Sequence, residues 1–386
     1  MSMNRVQAIE DVISKTRNNL QRRGELFPHI KKGGSPENHY VWHGNTDWIE
    51  GFYTGMVWLS YEYTGDAYFR EAAYRQIADF RRRLDENVSL EHHDIGFLYC
   101  PSALAGWIVE RNEEARRLTL DAADKLLTRW RPKGQYIQAW GPEGDAKNGG
   151  RIIIDCLMNL PLLFWASEQT GDPKYKEIAV KHADLSRRYL VRGDDSSYHT
   201  FYFDQEDGQP IRGGTHQGFH DGSTWTRGQA WGIYGFALCY RYTENPLYLE
   251  TSKRLARYFI ERMPEDHVVY WDFDVEQAEG TYRDSSASAI TACGLLELME
   301  HLERDGADYA YFADAVHRSM QSLYENYSTK DEPEAEGILK HGSYYVRGDA
   351  GPDDYIIWGD YYYLEALLRM EKGLPGYWYE RNRERT

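Results

Sequence analysis

The chain has 386 residues, 41% of them hydrophobic and 15% aromatic with 31 Tyr and 12 Trp, and carries a formal charge of −16. No basic face or stripe is present, which excludes a nucleic-acid partner, and no apolar run is long enough to span a membrane. A small anionic substrate is still allowed, because a few local Arg and His groups reverse the field inside a cleft, and the aromatic surplus suits a sugar site.

Met1-Ser2-Met3-Asn4-Arg5 leads into an amphipathic stretch, not the apolar core of a secretory signal, so a cytoplasmic location is expected. From there apolar residues recur with a period of about 3.6, and two kinds of segment alternate. An outer segment over 3–22 precedes an inner one over 47–63. The pairs 66–84 and 94–110, 112–130 and 153–169, 172–191 and 224–242, 245–262 and 285–303, and 307–327 and 355–371 repeat that order. Outer segments gather Lys, Arg and Glu on one face, whereas inner ones carry Trp, Tyr, Gly, Ala and Cys on several, as helices buried all round do.

Tyr63-Thr64-Gly65-Asp66-Ala67-Tyr68 returns as Gln169-Thr170-Gly171-Asp172-Pro173-Lys174-Tyr175, and more loosely as Tyr242-Thr243-Glu244-Asn245-Pro246-Leu247-Tyr248. Each reads as a helix stop and restart. Gly takes the left-handed C-terminal turn, Asp or Asn caps the next helix, and Pro fits its first turn, where the amide is unpaired anyway. Inner-to-outer turns are therefore short. The loops 131–152, 192–223, 263–284 and 328–354 are long, and long ordered loops carry function. Six such hairpins closing on themselves predict an all-α (α/α)6 barrel with short strands in its long loops, as one catalytic domain over 1–386. An open solenoid would use the same hairpins with more even repeats; the uneven loops favour closure. Cys100, Cys156, Cys239 and Cys293 stand singly within predicted helices, without metal-ligand spacing, and read as reduced core residues.

In a closed ring all inner helices start at one mouth, and the chemistry-bearing clusters fall there. Asp94 and Asp155 open adjacent inner helices. A helix N-terminus lowers the pKa of a carboxylate, while two carboxylates in one dry site raise that of one of them. Asp94 has a simpler alternative as a helix cap. Asp155 lies between Ile152-Ile153-Ile154 and Cys156-Leu157-Met158, an apolar setting in which an idle carboxylate would be costly. Trp42, Trp48, Trp140, Trp225 and Trp231 fall at or near the rim, where flat rings offer a pyranose a platform; Trp231 has packing as its plainer reading, and Trp140 lies in a loop. Residues 196–204 and 213–218 resemble two short strands, and His199, Gln217 and Arg227 make a donor set suited to a carboxylate or to sugar hydroxyls. Phosphate-loop, Ser-His-Asp and HExxH patterns are absent from the sequence.

Several segments carry a resemblance: Asn45-Thr46-Asp47-Trp48, His92-His93-Asp94-Ile95-Gly96-Phe97, Gln138-Ala139-Trp140-Gly141, Asn148-Gly149-Gly150-Arg151-Ile152-Ile153-Ile154-Asp155, Asp194 to Thr200, Asp221 to Trp231, Tyr282 to Ala287 and Trp358 to Tyr363. On these, over essentially its full length, the chain resembles family eighty-eight of the glycoside hydrolases, the unsaturated glucuronyl hydrolases, in their bacillus-type form. The resemblance implies release of a 4,5-unsaturated uronic acid from lyase-generated oligosaccharides by hydration of its vinyl ether. Asp155 matches the acid and base, and Asp94 the second essential carboxylate. His93, Trp42, Trp140, His199, Gln217, Trp225, Arg227 and Trp231 match pocket positions, Arg227 as counter-ion of the uronate. No metal or cofactor, no nucleic acid and no membrane is implied, and a monomer or weak homo-oligomer is expected. The loop Val346-Arg347-Gly348-Asp349-Ala350-Gly351-Pro352-Asp353-Asp354 departs from the Ser and Lys set associated with sulfated disaccharides, so unsulfated ones are the expected substrates. An unsaturated rhamnogalacturonyl hydrolase, a sugar epimerase or isomerase built on His92, His93 and His199, and a non-catalytic carbohydrate-binding toroid are the competing readings.

Overall fold

The computed structural model describes residues 3–30 and 39–381. In chain order its helices are α1 (Arg5–Arg23), α2 (Glu50–Thr64), α3 (Ala67–Asp85), α4 (Ile95–Tyr99), α5 (Ala105–Glu110), α6 (Glu113–Leu127), α7 (Leu160–Thr170), α8 (Pro173–Tyr189), α9 (Thr226–Thr243), α10 (Pro246–Glu261), α11 (Ser285–Met299), α12 (Ala307–Ser322) and α13 (Ile357–Lys372). An inner ring runs from α2 through α4 and α5, α7, α9 and α11 to α13, which packs back on α2. The ring closes because its members are apolar all round, whereas α1, α3, α6, α8, α10 and α12 have one apolar stripe and lie outside it. The architecture is the (α/α)6 barrel that the periodicity predicts.

The repeated turns form as their residues dictate. Gly65 and Gly171 are left-handed, with φ of 69° and 72°, and Asp66, Asp172 and Asn245 each accept a backbone N–H from the first turn of the following helix. Two inner segments differ from the continuous helices expected. Over 94–110, a wide π-turn at Cys100–Leu104 separates α4 from α5, because Pro101 has no N–H to give to the preceding turn. Over 153–169, a tight 3-10 turn at Ile154–Met158 comes first, and α7 starts with Pro161 in its opening turn.

Among the described residues seven short strands lie in the loops: β1 (Phe27–Pro28), β2 (Trp42–His43), β3 (Trp130–Arg131), β4 (Tyr136–Ile137), β5 (Arg151–Ile153), β6 (Thr200–Phe203) and β7 (Pro210–Gly214). The last three make an antiparallel sheet in which Ile153 faces Thr200 and the Ile154 N–H donates to the His199 carbonyl at 3.1 Å. That register sets Asp155 beside His199. The opposite end of the barrel is shut by the segment after α13, where Tyr377 and Trp378 are fully buried. Cys100, Cys156, Cys239 and Cys293 are buried free thiols.

Candidate active site

At the N-terminal mouth of the inner ring, Trp48, His93, Asp94, Trp140, Asp155, His216, Gln217, Tyr344 and Tyr345 line a cleft enclosing about 570 Å3 with its solvent opening. That size suits a small ligand. The two carboxylates reach it from neighbouring elements, Asp94 at the entrance of α4 and Asp155 in the 3-10 turn before α7. Asn159 fixes their separation: its Oδ1 accepts the Phe97 N–H at 2.8 Å and its Nδ2 donates to the Asp155 carbonyl at 3.3 Å. Gly96 permits this approach, since a Cβ there would stand 2.5 Å from the Asn159 Cα.

Their surroundings drive the carboxyls apart in acidity. Burial, aided by the negative charge of Asp94 and opposed by Arg227, pushes Asp155 up to about 8, and its Oδ2 is buried without a hydrogen-bond partner. Burial also works to raise Asp94, but the imidazoles of His93 and His92 outweigh it and hold the carboxyl below its ordinary value. His93 Nε2 lies 3.3 Å from Asp94 Oδ1, and burial draws this imidazole down to about 4. Capping does not account for Asp94: its side chain takes no cap bond from α4.

His199 is fixed in one tautomer. Its Nδ1 accepts from the backbone N–H groups of His216 and Gln217, both at 3.2 Å, so the ring proton sits on Nε2. That unpartnered Nε2 faces Asp155 Oδ2 at 3.8 Å. Burial, then the charges of His216, Arg227 and Arg151, hold the imidazole well below its ordinary value, and it is neutral. A free donor and a free acid thus converge on one point of the cleft.

The structure places the other expected residues as follows. Trp140 and Gln217 line the cleft, and Trp225 backs it, its ring 4.3 Å from that of His199. Arg227 is not a free cation: Nη1 donates to Asp284 at 2.6 Å and also to the Ser343 carbonyl, and Nη2 donates to the Tyr344 carbonyl at 2.7 Å. Gln217 Nε2 donates to that same Tyr344 carbonyl at 2.7 Å, so the Tyr344–Tyr345 wall is latched from two sides. Trp231 is fully buried between Phe97 and Tyr362, away from the cleft lining. Trp42 gives its indole N–H to Glu336 at 2.8 Å and packs on Tyr53. The tryptophan on that side of the cleft is Trp48, beside Tyr344. His216, Tyr344 and Tyr345 complete the wall; they come from the long loops flagged above, but no motif singled them out.

The family model for glycosyl hydrolase family 88 matches residues 25–374. The unsaturated glucuronyl hydrolase of Bacillus sp. (strain GL1) is 62% identical over 377 residues, 98% of this chain and 99% of that protein. The unsaturated chondroitin disaccharide hydrolase of Streptococcus pneumoniae (strain ATCC BAA-255 / R6) is 44% identical, across 96% of this chain and 93% of its own length. The crystal structure of the Bacillus sp. GL1 enzyme, described as responsible for the degradation of glycosaminoglycan, superposes with a TM-score of 0.96 at 61% identity, covering 98% of this chain and all of its own. The chain belongs to glycosyl hydrolase family 88.

Proposed function

We propose that this glycosidase releases 4,5-unsaturated glucuronic acid from the non-reducing end of oligosaccharides left by polysaccharide lyases, with Asp155 as acid and base. The observation that carries the reading is the Asp155 carboxyl, raised to about 8 and unpaired in an aromatic-walled cleft beside a second carboxylate. Protonated Asp155 gives its proton to C4 of the vinyl ether, and positive charge develops at C5 and the ring oxygen. The carboxylate left behind takes a proton from the water that adds at C5, which restores the acid. The hemiketal so formed opens to a C5 ketone, and the ring oxygen becomes a hydroxyl on C1. The C1 hemiacetal then expels the aglycone as an alcohol. One water is consumed, and the anomeric carbon is never attacked. His199 Nε2–H, 3.8 Å from Asp155, is placed to hold the water or a ring oxygen.

The reading extends to chondroitin-, hyaluronan-, heparin- or gellan-type fragments, a cytoplasmic location, a single domain, a monomer or weak homo-oligomer, and no metal or cofactor. It includes a preference for unsulfated disaccharides, supported by the turn over 346–349. There the Arg347 guanidinium bonds the Gly218 carbonyl, and Asp349 is left as an exposed negative charge. Loss of the ultraviolet absorbance of the C4–C5 double bond, followed across a panel of unsaturated disaccharides, tests the activity and the preference. Turnover confined to rhamnogalacturonan fragments, or none at all, overturns the activity. Equal or faster turnover of a 6-sulfated disaccharide overturns the preference.

A further inference from the structure

Arg151 is a nearly buried cation without a counter-ion. It begins β5, is 7% exposed, and its Cζ lies 5.1 Å from the Trp140 ring centroid and 5.0 Å from that of Tyr202. Among the described residues no carboxylate forms an ion pair with it and no acceptor takes a hydrogen bond from its guanidinium; Nε is buried and unpartnered. Arg212, on the same Tyr202 ring at 4.8 Å, has Asp221 at 3.0 Å as its partner, so stacking on that ring does not itself exclude a counter-ion. Removing a guanidinium from water without a counter-charge is unfavourable, and two ring faces compensate only in part. An apolar side chain would pack between the rings at lower cost, so packing alone does not explain an arginine here.

The cleft lies on the other side of those contacts. Trp140 and His216 both line it, their rings are 5.1 Å apart, and His216 stacks on Tyr345 at 4.7 Å. The charged groups acting on the His216 imidazole are Arg151, Lys147 and Arg347, and together with burial they draw it down to about 4. Arg227, the cation the sequence offered for the uronate, is engaged through both Nη atoms by Asp284 and two carbonyls, while its Nε is buried without a partner and its charge reaches Asp155.

Resting on the uronate-releasing activity above, we propose that Arg151 is a positioning residue for the anionic sugar: through Trp140 and His216 it lends the cleft an uncompensated positive charge that selects carboxylate-bearing over neutral rings. It does not line the cleft and is not a catalytic residue.

The test compares Arg151→Met and Arg151→Lys with the unaltered enzyme on two probes, the unsaturated chondroitin disaccharide and its uronamide, in which the carboxylate is a neutral amide. Arg151→Met is expected to raise KM for the acid roughly tenfold, with kcat little changed, and to shrink the acid-over-amide preference in kcat/KM by a similar factor. Arg151→Lys retains the charge but not the planar stack, and is expected to keep most of that preference. If both variants weaken acid and amide equally, or the preference survives in Arg151→Met, Arg151 is a packing residue and the inference falls. If the unaltered enzyme fails to turn over the acid, it is the activity itself that falls.

Discussion

Asp155 and Asp94 show how two identical side chains lining one cleft acquire opposite acidities. Burial acts on both, but only Asp94 has imidazoles against it, and its retained charge then adds to the burial of Asp155. With Asp155 raised to about 8, the acid form persists at neutral pH, and the rate of C4 protonation is expected to fall as pH rises beyond that value. Asp155→Asn removes the transferable proton while keeping the shape, so turnover should drop by about 10^2–10^4-fold while calorimetry still detects substrate binding. Retained turnover would end the assignment. The same shift bears on stability. A carboxyl whose folded pKa lies above its unfolded one favours the fold fully below the unfolded value, and that contribution is lost as pH rises through about 8. Asp155→Asn should therefore raise Tm at pH above about 7, with the gain vanishing near pH 4, close to the unfolded carboxyl value; a Tm difference independent of pH would contradict this. The sequence made these two residues legible because Asp at the entrance of an apolar helix is chemically conspicuous. It did not make Trp48 legible over Trp42. Both precede α2 by a few residues, and which indole faces the cleft depends on the β1–β2 pairing and on Glu336, which takes the Trp42 N–H. His216, Tyr344 and Tyr345 were hidden for a similar reason: loops place them, and no periodicity governs a loop.

Elements that obey local rules were legible to within a few residues; the two interrupted inner segments depart at proline, whereas α12 gives way to a π-turn at Leu323–Tyr327 that contains none. The recurring turns show the rule and an exception that the sequence already displays. Gly65 and Gly171 adopt the left-handed conformation at no steric cost, but the third copy puts Glu244 there, at φ 55°. Glu244→Gly is expected to stabilise the protein by about 0.5–1 kcal/mol, the relieved strain exceeding the added chain entropy, and a urea midpoint that moves down would refute it. A different close contact governs the site. A methyl at Gly96 would collide with the Asn159 backbone, and that residue ties α4 to the Asp155 turn. Gly96→Ala should cost activity well beyond its effect on stability, because it forces the two carboxylates apart. Equal activity per folded molecule would show that their separation is not critical.

At the scale of the molecule, the barrel is closed twice, once by α13 packing on α2 and once by the chain after it. That final segment touches every inner helix at the end opposite the cleft. Tyr377 donates to Glu62 of α2 at 2.7 Å, and Glu380 accepts from Trp107 of α5 at 2.6 Å and from Trp165 of α7 at 2.9 Å. Tyr242 of α9 donates to the Trp378 carbonyl at 2.8 Å, Tyr379 donates to Glu297 of α11 at 3.1 Å, and the Trp378 indole donates to Glu365 of α13 at 3.1 Å. Trp378 also stacks on Tyr362 with the planes only 7° apart. Periodicity could not reveal this plug, since residues after the last helix follow no repeat and their partners are scattered over the whole chain. A ring of hairpins bonded only to neighbours would unfold piecemeal, whereas one whose inner helices share a common tie should melt as a unit. Scanning calorimetry of the full chain is therefore expected to show one transition. Truncation after Leu374 should lower Tm sharply, since loss of a buried Trp alone costs about 3–5 kcal/mol, and should broaden or split the transition. A truncated protein that melts as sharply and as high as the full chain would show that α13 packing on α2 suffices, and that the plug holds nothing together.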